Sequence, residues 1–410
     1  MPVSKEDLYL HLWHKTGLLT LKRYWHIVTK GGSFARAWEH TTTLDTQLFD
    51  DSVQEKLAAF RAEFSLPIEK QMLAEENIAL VTYGSAAYPE LLKHIYNPPV
   101  MLYVRGNTDL LQENGIAFVG TRKNFSYGAE VTAMLVKDLA PYFTIVSGLA
   151  YGIDTHAHQA ALQYNGSTIA VLGGGIDSAS IYPRENRDLA LDIIRHRGLL
   201  VSEFPPRSEI AAFHFPLRNR IISGISKGTV VIEAPRKSGA LITAELALQQ
   251  GREVFAVPGS VLSRNSAGTN RLIQQYGAKL ITGAADILEE FDGISPHPWY
   301  NGRENAQNNQ ESDAPQAATN LLAHYQPPTT DTPHGVYKTS KTNYHPFVFS
   351  AAAPDPAYQQ VLDTISYEPI ALDELVQRLN IPAATLSAAL SFWELQGAIR
   401  DAGGKKYILS

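Results

Sequence analysis

Two hydrophobic patterns divide this chain of 410 residues into segments. In residues 1–66, apolar residues recur every three or four positions between polar turns, as in "KEDLYLHLWHK" and "VQEKLAAFRAEF". That spacing is typical of short amphipathic helices, so the segment is predicted to be a small all-helical module. Within it, "KTGLLTLKRYWHIV" is weakly similar to a helix-hairpin-helix, but Leu18 or Leu19 replaces the usual second glycine. We therefore expect this segment to have a structural role and not to bind DNA as a helix-hairpin-helix.

Residues 67–291 show a different pattern, in which short apolar runs alternate with helical stretches. The runs are "IALVTYG", "GIAFVGT", "FTIVSGL", "STIAVLGGG", "GLLVSEF", "TVVIEAP", "EVFAVPG" and "AKLIT". Continuous β-branched runs indicate strands buried on both faces, as in a parallel sheet between helices. The segment is predicted to be a doubly wound α/β domain. Ligands of such sheets bind outside the carboxyl ends of the strands, where most of these runs end in Gly, Ser or Pro.

The remaining chain divides into two segments. Residues 292–355 are rich in Pro, Asn, Gln, Ser and Thr, a composition that cannot bury a core, and we expect a flexible linker. Residues 356–410 show three helical stretches and a short hairpin through "DAGGKKYIL". That order is typical of a winged helix.

The amino-acid composition excludes several kinds of functional site. With 44% hydrophobic and 19% charged residues the chain has an ordinary globular composition, and it contains no cysteine. Disulfides, thiolate metal sites and cysteine nucleophiles are thereby excluded. The first residues, "MPVSKEDLYLHLWHK", carry charges where a signal peptide needs an apolar core, and no run is long enough to cross a membrane. We expect a cytoplasmic protein.

Charge is unevenly distributed. The net charge is -6, yet residues 115–291 carry 17 Lys and Arg against 15 Asp and Glu and are the only net positive segment. The other three segments, 1–114, 292–355 and 356–410, are net acidic. Because the excess is only two charges, it can attract an anionic ligand only if the cations lie close together in the fold.

The common nucleotide and metal motifs are absent from the sequence. No G-x-x-x-x-G-K-[ST] occurs, and the glycines of "VLGGGIDSAS" do not have G-x-G-x-x-G spacing. Asp154, His156 and His158 lie close together in sequence, but i, i+2 spacing points the two histidines to different faces of a helix. We expect Asp154 to make polar contacts at a helix start and the histidines to pack.

Three strand-to-helix turns can bind anions. "VGTRKNFSYG", "VSGLAYGID" and "APRKSGALITAE" each run through a glycine into a helix, where free N–H groups attract phosphate. The cations at or near such turns are Arg122, Lys123, Arg218, Arg220, Arg236 and Lys237. They are predicted to make the binding edge of the sheet positive.

The sequence indicates binding rather than turnover. Glu203, Glu233 and Glu245 are the candidates for an acid/base set, although a paired structural role is commoner for the first two. The nearby aromatic residues, which can stack on bases or pack in the core, are Phe125, Tyr127, Phe213 and Phe215.

Six longer motifs, in order between residues 67 and 291, resemble the DNA-processing protein A (DprA/Smf) family. They are "FVGTRKNFSYG", "SGLAYGIDTHAHQAAL", "TIAVLGGGID…YPRENRDL", "SEFPP…FHFPLRNRIISGIS", "VVIEAPRKSGALITAELALQQGREVFAVPGS" and "SAGTNRLIQQYGAKLI". The resemblance implies an extended Rossmann-like, mostly parallel domain between an N-terminal helical SAM-like domain and a C-terminal winged helix. It also implies a non-catalytic homodimer that binds single-stranded DNA and helps load RecA recombinase on DNA covered by single-strand binding protein, in natural transformation.

Site residues can be carried over from the motifs. In that family the arginine of a G-[ST]-R turn and the basic residues of an F-P-x-R-N-R motif contact DNA, which here are Arg122, Arg218 and Arg220. The loop "RSEIAAFH" departs from the Gly/Pro-rich loop common in the family, so its shape stays open. The predicted DNA-binding residues are Gly120, Thr121, Arg122, Lys123, Ser147, Gly148, Phe215, Arg218, Asn219, Arg220, Lys237, Ser238 and Gly239; no cofactor and no metal are expected.

Two other functions stay open. Nucleotide phosphoribohydrolases of related fold use P-G-G-x-G-T-x-x-E, and "APRKSGALITAE" occupies the comparable turn with Glu245 as the glutamate. Arg236 and Lys237 would fill the space that a mononucleotide needs there. A winged-helix transcription factor is the second, but the third helix has no Lys or Arg before Arg400. We expect a protein-contact or regulatory role for residues 356–410.

Overall fold

The protein divides into two compact units, Met1–Tyr300 and Asn301–Ser410. The computed structural model describes residues 4–39, 51–208, 210–297 and 300, and in the second unit 360–361, 364–365, 370–379, 381, 386, 390, 399–401 and 406–409. Most of the predicted linker, 292–355, therefore lies outside the described residues. In the part of the chain that is described, no helix is both long and apolar enough to cross a membrane.

In the described residues before the sheet there are five α-helices: α1 (Lys5–Lys15), α2 (Leu21–His26), α3 (Phe34–Glu39), α4 (Asp51–Glu63) and α5 (Leu66–Glu75). Ser4 caps α1 by accepting a hydrogen bond from the N–H of Asp7. Trp13 is fully buried among these helices. The imidazole of His11 joins α1 to α5 and to the sheet, because Nε2 lies 3.0 Å from Glu69 Oε2 and Nδ1 lies 2.8 Å from the hydroxyl of Tyr103.

The predicted boundary between residues 66 and 67 falls at the first residues of α5. Both sides of that boundary belong to the same compact unit. The division into a helical module and an α/β domain therefore stays a prediction.

The described strands of the first unit form one nine-stranded sheet in the order β1-β2-β6-β5-β4-β3-β7-β8-β9. Strand β2 is antiparallel to both its neighbours, and all the other pairs are parallel. The strands are β1 (Ala79–Thr82), β2 (Met101–Gly106), β3 (Gly115–Val119), β4 (Thr144–Ser147), β5 (Thr168–Leu172), β6 (Leu199–Ser202), β7 (Gly228–Val231), β8 (Glu253–Ala256) and β9 (Lys279–Leu280).

Helices cover the sheet. They are α6 (Glu90–Lys93), α7 (Ser126–Leu139), α8 (Ile153–Gln163), α9 (Arg187–Arg195), α10 (His214–Gly224), α11 (Gly239–Gln249), α12 (Ala267–Tyr276) and α13 (Ala284–Leu288). Every residue of the five strands β3 to β7 is buried. Their continuous apolar runs are explained by this two-sided cover, and the predicted mostly parallel α/β fold is confirmed.

The second unit contains a three-stranded antiparallel sheet in the order β10-β12-β11. The strands are β10 (Ile370–Ala371), β11 (Ile399–Asp401) and β12 (Lys406–Leu409), and α14 (Leu372–Leu379) follows β10. The predicted hairpin is thus β11 paired with β12. Most of the third predicted helix lies outside the described residues.

Candidate nucleic-acid interface

The strand order of the sheet reverses between β3 and β7. From β3 the chain proceeds through β4, β5 and β6 on one side, and from β7 through β8 and β9 on the other. The two turns that leave these strands meet at the carboxyl edge, where the N–H of Thr121 donates to the carbonyl oxygen of Glu233 at 2.7 Å. Such a switch point is where open α/β sheets bind their ligands.

The turn after β3 presents two cations on a fixed backbone. Thr121 is buried and its hydroxyl accepts a hydrogen bond from the N–H of Lys123 at 3.2 Å. The side-chain amide of Asn265 donates to the carbonyl of Lys123 at 3.0 Å. Arg122 and Lys123 are exposed. Gly120 allows α8 to approach, since a Cβ there would lie 2.4 Å from Ile153 Cγ1.

The turn after β4 packs against the turn after β3. Gly152 has φ 77°, and a Cβ there would lie 2.3 Å from the carbonyl oxygen of Thr121. Ser147 is fully buried and donates to the carbonyl of Phe118 at 2.7 Å. The N–H of Gly148 donates to Asp154 Oδ2 at 3.0 Å. The predicted DNA-binding groups of Ser147 and Gly148 are therefore engaged inside the protein.

Arg218 lies inside the protein, although the sequence predicts a DNA contact. It is 3% exposed, and its Nη1 donates to the carbonyl of Gly148 at 2.8 Å and also to the carbonyl of Val171. Burial lowers the pKa of the guanidinium to about 10, while the charge of Asp154 acts in the opposite direction. A carboxylate and a guanidinium thus hold the Gly148 turn from two sides. This geometry does not favour a phosphate contact by Arg218.

Arg220 also has internal partners. Its Nη2 lies 2.7 Å from Glu203 Oε1, and its Nε donates to the carbonyl of Asn97 at 3.2 Å. Asn219, between the two arginines, accepts a hydrogen bond from Arg218 Nε at 3.2 Å. The "RNR" part of the motif thus joins α10 to the strand ends through internal contacts, and DNA contact by its three residues stays a prediction.

Phe215, from the same motif, lies at the surface of the edge. Its ring is partly exposed, and the guanidinium carbon of Arg122 lies 5.5 Å from the ring centroid. That distance is within cation–π range. Phe125 and Tyr127, at the start of α7, are 62% and 44% exposed. The predicted aromatic residues next to the cations are therefore accessible.

The "RKSG" turn begins α11 on the other side of the switch point. Ser238 is the N-cap, and its hydroxyl accepts a hydrogen bond from the N–H of Ala240 at 3.3 Å. Arg236, Lys237 and Gly239 are exposed. Arg236 and Lys237 thus add positive charge to an exposed helix N-terminus.

The candidate acid/base set is not assembled. Glu203 pairs with Arg220, and the buried carboxylate of Glu233 accepts a hydrogen bond from the N–H of Phe125 at 3.2 Å. Burial raises the pKa of Glu233, while hydrogen bonds from Phe125 and Asn265 lower it. Glu245 is exposed on α11. The first two carboxylates hold together the elements that carry the site, as expected for structural residues.

The histidines of "GIDTHAHQAAL" face different environments. His158 is fully buried with Nδ1 2.7 Å from Thr168 Oγ1, whereas His156 is partly exposed. Burial, helped by the charge of Arg218, lowers the pKa of His158 to about 3. Among the residues that the structure describes, no group of three His, Asp or Glu side chains could hold a metal ion.

Two surface tyrosines near Arg122 were not predicted as site residues. Tyr151 is 37% exposed in the turn before α8, and Tyr182 is 43% exposed before α9. The ring centroid of Tyr182 lies 5.9 Å from that of Phe215. Both tyrosines lie inside the motifs quoted from the sequence, in "SGLAYGID" and "YPREN". That position was the sequence signal that could have identified them as site residues.

Two family models match separate stretches of the chain. The family model described as DNA recombination-mediator protein A matches residues 79–292, and the model of the DprA winged helix domain matches residues 345–405. The chain is 45% identical over 245 residues to the DNA processing protein DprA of Bacillus subtilis (strain 168), covering 58% of this chain and 81% of that protein.

Two further comparisons are with Streptococcus pneumoniae. The DNA processing protein DprA of strain ATCC BAA-255 / R6 is 48% identical over 205 residues, which cover 50% of this chain and 71% of that protein. The X-ray structure of DNA processing protein A from the same species superimposes with a TM-score of 0.60 and 34% identity, covering 71% of this chain and 99% of that one. The chain therefore belongs to the DNA-processing protein A (DprA/Smf) family.

Proposed function

We propose that this protein binds single-stranded DNA along the carboxyl edge of its sheet, without catalysis. One observation carries the proposal. Arg122, Lys123, Arg236 and Lys237 are exposed on the two turns that flank the switch point. Within the described ranges, none of these four lies within 4.0 Å of a carboxylate oxygen. Their charge is thus available to phosphates, although the chain as a whole is acidic.

The aromatic residues support a single strand over a duplex. Phe215 lies under Arg122, and Phe125 lies beyond the turn that carries both cations. Unpaired bases can stack on such rings, while bases inside a duplex have no free face. A positively charged edge with accessible aromatic rings fits a single strand whose phosphates bind the cations and whose bases stack on the rings.

Binding is tested by fluorescence anisotropy with a labelled oligothymidylate and a duplex of equal length. We expect tighter binding of the single strand and a loss of affinity as salt rises. Equal affinity for both, or binding that ignores salt, would contradict the proposal.

The absence of catalysis is a separate part of the proposal. Glu203 and Glu233 are held by internal partners, and Arg236 and Lys237 occupy the turn at which the phosphoribohydrolase motif has two glycines. Purine nucleoside monophosphates should therefore release no base on incubation with the protein. Clear turnover would favour the enzyme alternative.

The cellular role is proposed from membership of the family. We propose that the protein protects incoming single-stranded DNA in the cytoplasm, acts as a homodimer, and helps RecA replace single-strand binding protein during natural transformation. The test is RecA filament formation on a strand covered by single-strand binding protein. Faster filament formation with this protein is expected, and no change would remove the loading role while leaving DNA binding intact.

Residues 356–410 are proposed to contact protein and not to read DNA sequence. The segment is net acidic, with 4 Lys and Arg against 6 Asp and Glu. A chain that ends before residue 356 should therefore bind oligothymidylate as the full chain does. A large loss of affinity on deletion would instead support a DNA-binding winged helix.

A further inference from the structure

A row of aromatic side chains continues from the cationic turn after β3 toward the ends of β4 and β5. Arg122 lies over Phe215, and the ring of Tyr182 is tilted by 47° to that of Phe215 at 5.9 Å between centroids. Gly173 leaves room for this arrangement, since a Cβ there would lie 3.0 Å from Phe215 Cδ1. Phe215 and Tyr182 therefore form a two-ring surface that begins at a guanidinium.

Tyr151 adds a third ring. Its hydroxyl donates a hydrogen bond to the carboxylate of Glu185. That bond, with smaller contributions from burial, raises the pKa of Tyr151 to about 12, while the charge of Arg122 lowers it. The phenol is therefore neutral at physiological pH and fixed in orientation. A Cβ on the adjacent Gly152 would lie 2.9 Å from Arg122 Cα, and Glu185, the partner of Tyr151, follows Tyr182 by three residues, so Tyr151 lies near both.

Charged side chains flank the row. Arg122 and Lys123 are exposed where it begins, and Glu185, the partner of Tyr151, is exposed beside the exposed Arg184. A phosphate is attracted to Arg122 and Lys123, whereas the opposite charges of Arg184 and Glu185 offset each other. A strand that crosses this surface would keep its backbone on the cations, which leaves the rings to its bases.

We infer that Tyr151, Tyr182 and Phe215 form a stacking wall for unpaired bases of single-stranded DNA. The inference rests on the proposed function and adds to it the part of the ligand that these rings recognise. Stacking needs a base with a free face, and it is independent of the phosphate contacts that produce salt dependence. The stacking wall therefore adds to the affinity for DNA only when the strand carries bases.

The test compares oligothymidylate with an abasic strand of equal length, which has the same phosphates and no bases. The wild-type protein should bind oligothymidylate more tightly. Tyr151→Ala and Tyr182→Ala should each reduce the ratio of the two affinities by about tenfold, without changing the salt slope for the abasic strand. Tyr151→Phe keeps the ring and should keep the ratio.

Tyr276→Ala is the matched control. Tyr276 is 50% exposed with the guanidinium carbon of Arg271 5.5 Å from its ring centroid, but it ends α12 at the opposite edge of the sheet. Its removal should leave the ratio unchanged. Circular dichroism checks the fold of each variant, and Tyr151→Ala carries the test if Tyr182→Ala does not fold.

The outcomes separate the two proposals. If the wild-type protein binds neither strand, the proposed function itself is contradicted. Binding of both strands with equal affinity, or alanine variants that keep the wild-type ratio, overturns the wall and leaves the proposed function in place. Variants that keep the ratio but lose the effect on RecA filament formation would also overturn the wall, because the tyrosines would then be a protein-docking surface.

Discussion

The guanidinium of Arg218 donates a hydrogen bond to the carbonyl oxygen of Gly148 at 2.8 Å. The N–H of the same glycine donates to Asp154 at 3.0 Å, so both polar groups of Gly148 are held by charged side chains. A Cβ at position 148 would lie 2.5 Å from Arg218 Nη2, and only glycine leaves room for the guanidinium. Arg218 is thus held by internal partners, and the exposed cations of the two turns that flank the switch point are Arg122, Lys123, Arg236 and Lys237.

Arg218→Ala should destabilise the protein. The substitution leaves two buried carbonyls without their donor and removes a charge that favours ionised Asp154, so we expect the free energy of unfolding to fall by about 3 kcal/mol. Urea unfolding measures it, with exposed Arg236→Ala as the control, for which a change within about 0.5 kcal/mol is expected. A stable Arg218→Ala that has lost DNA binding would restore the direct contact predicted from the sequence.

Gly152→Ala should disturb the turn that presents Arg122. The new Cβ would combine the strain of φ 77° with a 2.3 Å approach to the carbonyl of Thr121. We expect a loss of about 3 kcal/mol in unfolding free energy and weaker DNA binding. Gly277→Ala is the control, because φ is 70° but no atom lies within 4 Å of the new Cβ. It should cost only about 1 kcal/mol, and equal effects of the two substitutions would show that contact between the turns does not matter.

The stability of the protein should fall as the pH is lowered from neutral. His158 has a folded pKa of about 3, below its ordinary value of 6.5, because it is buried near Arg218. As the pH falls below 6.5 the unfolded chain binds a proton that the folded one does not, so stability is lost by up to about 1.4 kcal/mol per pH unit until the folded pKa is reached. Urea unfolding at several pH values should show this slope reduced in His158→Asn. The exposed control His196→Asn should keep the wild-type slope; a His158→Asn profile parallel to the wild type would contradict the assignment.

The strands were predicted well from the sequence, because a strand that is buried on both faces is a continuous run of apolar residues. The runs of β3 to β9 are continuous and apolar, and each ends near a turn residue at the carboxyl edge. Strand β2, "MLYVRG", was not picked out, although all but its last two residues are buried. Its antiparallel pairing with β1 and β6 depends on the path of the chain between them, which no local pattern encodes.

The exposure of the predicted site residues followed the sequence only in part, and their contact with DNA stays a prediction. Arg122, Lys123 and Lys237 lie on exposed turns as expected, whereas Arg218 and Arg220 turn inward. A local sequence cannot separate these cases, because a guanidinium binds a backbone carbonyl, a carboxylate or a phosphate with the same donors. Which one it meets depends on α10 being covered on more than one face, with Gly148 on one side and Glu203 on another.

The most direct test of the account is the salt dependence of single-strand binding when the exposed cations are removed. Arg122→Ala combined with Lys123→Ala is compared with Arg195→Ala combined with Lys137→Ala, which removes an exposed arginine and lysine from the last turns of α9 and α7 at the opposite edge. Anisotropy titrations of oligothymidylate over a series of salt concentrations give both affinity and slope.

We expect the first variant to bind more weakly than the wild type at every salt concentration. Its plot of log affinity against log salt should be shallower by about 0.7 for each lost phosphate contact, while the second variant follows the wild type. Unchanged affinity and slope in the first variant, or equal losses in both, would contradict a phosphate-binding edge at the switch point of the sheet.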